Sequence, residues 1–260
     1  KNFGRITCGI GQGMLKLPEN HNSKGFPLKG RLGKEAVDMS LIIKRRVEIL
    51  LLAGAVFIFA IIGGYMFRTK GSKRIYPIEN VTWADPVYYR QDDPQWAEDT
   101  LGQSEYTLGE SGCLIACIAA DLEMELSDGQ TERPDWAGEQ ITPGSLNQRF
   151  TQQGAYDKEG NLLWNRINEA GEIQAEAGRK VSYKQITEAL KEKNYPIVRV
   201  RRNEIGNFHY VLIVKSEGGM FYCMDPLKEE EKLVPLEEFG NRVYAVRYVG
   251  IADEKNVQGD

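Results

Sequence analysis

The sequence predicts an α+β domain carried behind one membrane-spanning helix, and three observations say so. Residues Ile49–Phe67 are uncharged and dominated by Leu, Ile, Ala, Val and Phe. Between Gly112 and Leu190, apolar residues recur every three or four positions, the period of one helix face. From Pro196 onward the pattern changes to period two or to short apolar runs, as strands require. Helices first and an antiparallel sheet afterwards is an α+β plan.

The elements follow in order. Residues 1–38 are rich in Gly, Lys and Asn without sustained periodicity, and are expected to be disordered or to lie upstream of the true start. Met39-Ser40-Leu41 would open a signal anchor naturally, and Cys8 and His21 receive no role. The basic flank and anchor occupy 39–67. Nineteen uncharged residues at about 1.5 Å each cover roughly 28 Å, enough for a hydrocarbon core. Lys44, Arg45 and Arg46 precede the span, and Arg68, Lys70, Lys73 and Arg74 follow it, so charge alone does not orient it. A short basic N-terminus before a first span favours an extracytoplasmic C-terminal domain in the cell membrane. Gly63-Gly64-Tyr65-Met66 is a poor cleavage site, so the anchor is expected to be uncleaved.

A basic linker (68–82), one domain (83–250) and a tail (251–260) complete the chain. Gly112–Glu125 is the strongest helix, with Leu114, Ile115, Ile118 and Leu122 on one face. Thr142-Pro143 reads as an N-cap followed by Pro at the first helical position, leading Ser145–Gln153 into a helix that stops at Gly154. A short helix is expected around Leu162–Ala170. Ser182, with Gln185 three residues on, reads as a capping box for another, which faces the core with Ile186, Ala189 and Leu190. Ile197–Arg201, Phe208–Lys215, Met220–Met224 and Val243–Val249 read as strands. Glu217-Gly218-Gly219 supplies a hairpin turn between the second and third.

Composition narrows the function classes. With 42% hydrophobic and 27% charged residues the chain is an ordinary globular protein. A net charge of −4, without a basic helix face, argues against a nucleic-acid partner. Four cysteines without paired CxxC spacing, and two histidines, make neither a disulfide framework nor a zinc site, so no metal or other cofactor is expected. Cys117 and Cys223 read as small buried hydrophobes. Trp96, Trp136 and Trp164 read as packing residues.

Cys113 is different, because it opens a helix. A thiol at a helix N-terminus feels the partial positive charge of the helix end, which favours the thiolate. His209, near the start of one strand, can pair with it. Asp225, near the end of the neighbouring antiparallel strand, can fix that ring through its second nitrogen. Gln91, with the Cys113 backbone N–H, is the candidate oxyanion donor.

The block Val87–Ala97, then Leu101-Gly102 and Gly109-Glu110-Ser111-Gly112-Cys113, resembles papain-like bacterial proteins related to the bacteriocin-leader-processing peptidases (C39-like). Tyr195–Val200, Phe208–Val214 and Met224-Asp225-Pro226 resemble that family's strand, histidine and Asp-Pro blocks in the same order. The resemblance covers roughly residues 83–250. It implies a papain-like fold, a peptide or protein substrate, Cys113 as nucleophile, His209 as general base and then acid, Asp225 as orienting residue and Gln91 as oxyanion donor. Asp128–Gly138 departs from it as a polar insertion, and the sequence carries no transporter domain. The reading is therefore a membrane-anchored cysteine peptidase. Amide cleavage or acyl transfer on the same thiol, and an inactive papain-like binding module, are the alternatives.

Overall fold

The computed structural model describes residues 29–83, 86–129, 131–178 and 181–252. Cys8 and His21 lie outside them, as does the start of the segment expected to be disordered. The chain divides into two compact units, Lys1–Ala60 and Ile61–Asp260. Helix α1, Lys29–Thr69, begins before the Met39 expected for the anchor. From Asp38 to Thr69 it is long and apolar enough to cross a membrane, with a mean hydropathy of 2.5 in its most apolar stretch. Leu50, Phe57 and Phe59 are exposed along it.

In the second unit the expected linker is built into the domain. Strand β1 (Lys73–Arg74) pairs with a late strand, Ile75 is fully buried, and Val81 bridges to Ser216. A one-turn helix, α2 (Leu108–Ser111), precedes α3 (Cys113–Ser127). Thr107 caps α2 in a capping box with Glu110, a Thr-x-x-Glu signal that the sequence reading passed over. Gly112 ends α2 and starts α3 at φ −82°, so its requirement is for space and not for a left-handed backbone. A Cβ there would lie 2.5 Å from Leu108 Cδ2 and from the Leu108 carbonyl oxygen.

Helix α4 spans Pro143–Gln152 behind Thr142, whose hydroxyl accepts from the Ser145 N–H. Helix α5 is Trp164–Glu169 and strand β2 is Ile173–Gly178. The sequence reading contained no β2, because Gln, Ala, Glu and Gly are poor strand formers; pairing with a late strand along its whole length overrides that preference. Helix α6 (Tyr183–Lys191) does start after Ser182, but the Ser182 side chain makes no capping bond, so the expected capping box is not formed.

Strands β3 (Ile197–Arg201), β4 (Phe208–Glu217), β5 (Met220–Met224), β6 (Val234–Pro235), β7 (Arg242–Val243) and β8 (Ala245–Ile251) complete the chain. The main sheet is antiparallel in the order β2-β8-β3-β4-β5-β6, and β1 pairs with β7 separately. Gly218 and Gly219, both at positive φ (58° and 79°), make the tight β4–β5 turn. Helix α3 packs on the sheet at β4 and β8, and α4 packs on α3. Ile115, Ile118 and Leu122 of α3 share one core with Val198 and Val200 of β3 and Val211 and Ile213 of β4. A mixed helical and antiparallel architecture is thus as expected, and it sets the start of α3 against one face of the sheet.

Candidate active site

Helix α3 brings Cys113 to its first position, where its N–H has no acceptor within the helix. The thiol is partly exposed, whereas Cys117, one turn on, and Cys223 are fully buried. Burial pushes both of those thiols well above the usual cysteine range. Cys113 lines a cleft of 590 Å³ that also takes Gln91, His209, Trp164, Arg202 and Asn207.

His209 comes from the second position of β4 and is buried. Its Nε2–H donates to Asp225 Oδ1 at 2.6 Å, which leaves Nδ1 for the Cys113 thiol. Cys113 and His209 line the same cleft. Burial opposes the charged imidazolium, but the Asp225 hydrogen bond and charge, with the nearby Cys113 thiol, outweigh it, and the pKa is pushed up to about 9. Asp225 follows β5, and the β4–β5 turn brings it beside His209 as the sequence geometry requires. Burial acts to raise its pKa, but the His209 hydrogen bond and charge, the Leu227 N–H and the Lys228 charge together hold it below the usual carboxylate range. The Leu227 N–H reaches Asp225 Oδ1 at 2.9 Å. The Asp-Pro-Leu turn therefore fixes the carboxylate from behind.

Gln91 is also buried and lies in the same cleft. Its Nε2 donates to the Gly109 carbonyl at 2.7 Å, and its backbone N–H donates to the Pro226 carbonyl at 3.0 Å. One amide hydrogen thus ties Gln91 to α2, and a carboxamide has a second to give. Of the four residues singled out from sequence, Gln91, Cys113 and His209 line one cleft, and Asp225 is joined to it through His209. Sequence reasoning missed their supports, the Gly109 carbonyl and the Leu227 N–H, because backbone partners distant in sequence leave no local signal. It also missed the Arg202 and Asn207 rim. Trp96 packs as expected, with its Nε1–H on the Arg90 carbonyl, and Trp136 and Trp164 pack against the core, Trp164 also lining the cleft.

A second cavity, of 640 Å³, lies toward the far end of α3 and is lined by Asp121, Glu125, Asp128, Glu176 and Tyr248 among others, with no cysteine or histidine. It is larger, but the groups able to do covalent chemistry are in the first. Among the described residues no cluster of His, Cys, Asp and Glu could hold a metal.

No family model matches this chain, and no curated protein matches it in sequence. Among solved structures it is similar to a candidate C39-like peptidase from Bacillus anthracis, at 14% identity and a TM-score of 0.35, over 65% of this chain and 97% of that one. A likeness at that level carries no argument about function, which has to come from the site itself.

Proposed function

We propose that this protein is a membrane-anchored cysteine peptidase that hydrolyses peptide or amide bonds through Cys113, His209 and Asp225. One observation carries the reading. A buried histidine, locked by a carboxylate on Nε2, lines one open cleft together with a thiol at a helix start. That is the arrangement an activated nucleophile needs.

In the proposed reaction the Cys113 proton already rests on His209, and Sγ attacks the substrate carbonyl. The oxygen of the tetrahedral intermediate is held by the Cys113 N–H and the second Gln91 amide hydrogen. His209 then protonates the leaving amine as the C–N bond breaks. Water, deprotonated by His209, attacks the thioester and releases the acid and the free thiol. Asp225 stabilises the imidazolium in both halves and fixes its orientation. Leu114, Leu162 and Trp164 give the cleft an apolar side, while Glu110, Arg202 and Asn207 give it a polar one. In this reading α1 anchors the chain in the cell membrane, with the hydrolase domain on the outer side.

The test is to incubate the full chain in detergent with a mixed peptide library and to read new termini by mass spectrometry. Cleavage is expected, and Cys113→Ala should abolish it. New termini that persist unchanged in that variant would sink the proposal.

A further inference from the structure

Arg199 and Arg201 alternate with the buried Val198 and Val200 along β3, and Val200 is paired with His209 across β4. The two arginines therefore lie on the sheet face away from His209. Phe208, cross-strand from Arg201, shares their face. The Arg201 guanidinium sits 3.9 Å from the centre of its ring, and that of Arg199 sits 4.4 Å away. Tyr244 meets Phe208 edge-on at 5.1 Å and lies 5.4 Å from Arg201. Arg242 extends the group, stacked 5.6 Å from the Tyr65 ring and donating to the Ser72 hydroxyl.

Among the described residues these guanidiniums have no ion-pair partner. The arginine ion pairs among the described residues are Arg90–Asp92, Arg133–Glu123, Arg149–Glu172 and Arg166–Glu169, and none of them belongs to this group. Glu204 reaches it only through the Tyr65 hydroxyl, which donates to Oε2. Among the described residues the buried Nε atoms of Arg199, Arg201 and Arg242 have no acceptor, while Arg201 Nη1 donates to the Gly206 carbonyl. Aromatic faces attract a guanidinium but do not accept its in-plane N–H groups. Several such forks side by side suit an anion with several acceptor oxygens, and phosphate matches them bidentately.

Chain position selects the source of that phosphate. Tyr65 and Arg68 belong to the end of α1, and Lys70, Lys73 and Arg74 follow at once. Arg68 Nε donates to the Ile205 carbonyl, and the Tyr244 hydroxyl donates to the Arg68 carbonyl. The β3–β4 turn is thereby fastened to the end of the helix, with Ile205 and Phe208 both exposed beside it. Clustered arginines, interfacial aromatics and an exposed aliphatic tip at the end of a membrane-length helix are the components of a headgroup site.

We propose that Arg199, Arg201 and Arg242, with Phe208, Tyr244 and Tyr65, form a site for the phosphate headgroups of anionic lipids. The proposal rests on α1 spanning the bilayer. Arg202 and Asn207 of the fastened turn line the cleft, so headgroup binding would hold that rim of the cleft at the bilayer surface.

The test uses the full chain in nanodiscs of phosphatidylcholine alone, or of equal parts phosphatidylcholine and phosphatidylglycerol, with hydrogen exchange followed over residues 202–208. Exchange should be slower in the anionic discs, and high salt should abolish the difference. Each arginine near an anionic surface is worth about five-fold in association, so R199Q/R201Q/R242Q should remove the protection. The single variant R242Q, at the edge of the cluster, should remove part of it and guards against a misfolded triple variant. Equal exchange in both lipids, with the chain still eluting in the disc, would overturn the headgroup site. So would the same protection in neutral discs from added polyglutamate, since the partner would then be an acidic polypeptide. A chain that fails to elute with either disc overturns the membrane reading of α1, and the site with it.

Discussion

Replacing Asp225 by Asn keeps the shape of the residue that faces His209 and removes its charge. The structure sets the size of the effect. His209 is pushed from 6.5 to about 9 against the cost of its own burial, which corresponds to about 3 kcal/mol in favour of the imidazolium. Asp225 supplies the strongest of the favourable interactions, a 2.6 Å hydrogen bond and a full negative charge. In Asp225→Asn the burial remains and much of the compensation goes, so the imidazole should titrate well below the wild-type value. The assay is direct, because the chain has two histidines and His21→Gln leaves a single imidazole signal to follow by NMR against pH. The wild type should stay protonated through pH 8. Stability should follow. The contribution of His209 is fully present below 6.5 and is lost as pH rises through about 9, whereas that of Asp225 is lost as pH falls below 3.8. The variant should thus lose most stability, relative to wild type, between these limits. A wild-type ring that titrates near 6.5, or a variant whose titration does not move, would refute the argument.

Two other substitutions probe the frame around the site. Gly112→Ala places a methyl group 2.5 Å from Leu108, and overpacking of this kind should cost about 1–3 kcal/mol in a denaturant titration; unchanged stability would mean that the α2–α3 junction is not tight. Asp121 is buried in α3, and burial, with the Glu125 charge, holds its carboxyl well above the usual range. It binds its proton more strongly folded than unfolded, so above its unfolded pKa it weakens the fold as pH rises. Asp121→Asn should flatten that fall in urea melts taken across neutral pH; an unaltered slope would show that Asp121 is not the cause.

The architecture was legible in the sequence where two signals agreed. β4 and β5 combined apolar runs with a Gly-Gly turn, and α3 combined helical periodicity with a glycine immediately before it. Where a single signal had to stand alone, the reading failed. The sequence of β2 opposes a strand and is overridden by its pairing with β8. The segment 68–82 looked like a linker because Ile75 and Val81, which anchor it, are isolated apolar residues among polar ones. The candidate triad could be read because chain order and the hairpin together restrict where His209 and Asp225 can meet. The arginine–aromatic cluster could not, since Arg68, Arg199, Arg201 and Arg242 come from three separate elements and gather only in the folded chain.

The central claim is that His209 makes Cys113 a nucleophile, and thiol alkylation tests it most directly. Full-length protein is treated with iodoacetamide at mildly acidic pH, and each cysteine is quantified by mass spectrometry. Selective modification of Cys113 over the buried Cys117 and Cys223 is expected, with loss of that selectivity in His209→Ala. Equal labelling of the three thiols, or Cys113 labelling that is indifferent to His209, would contradict it.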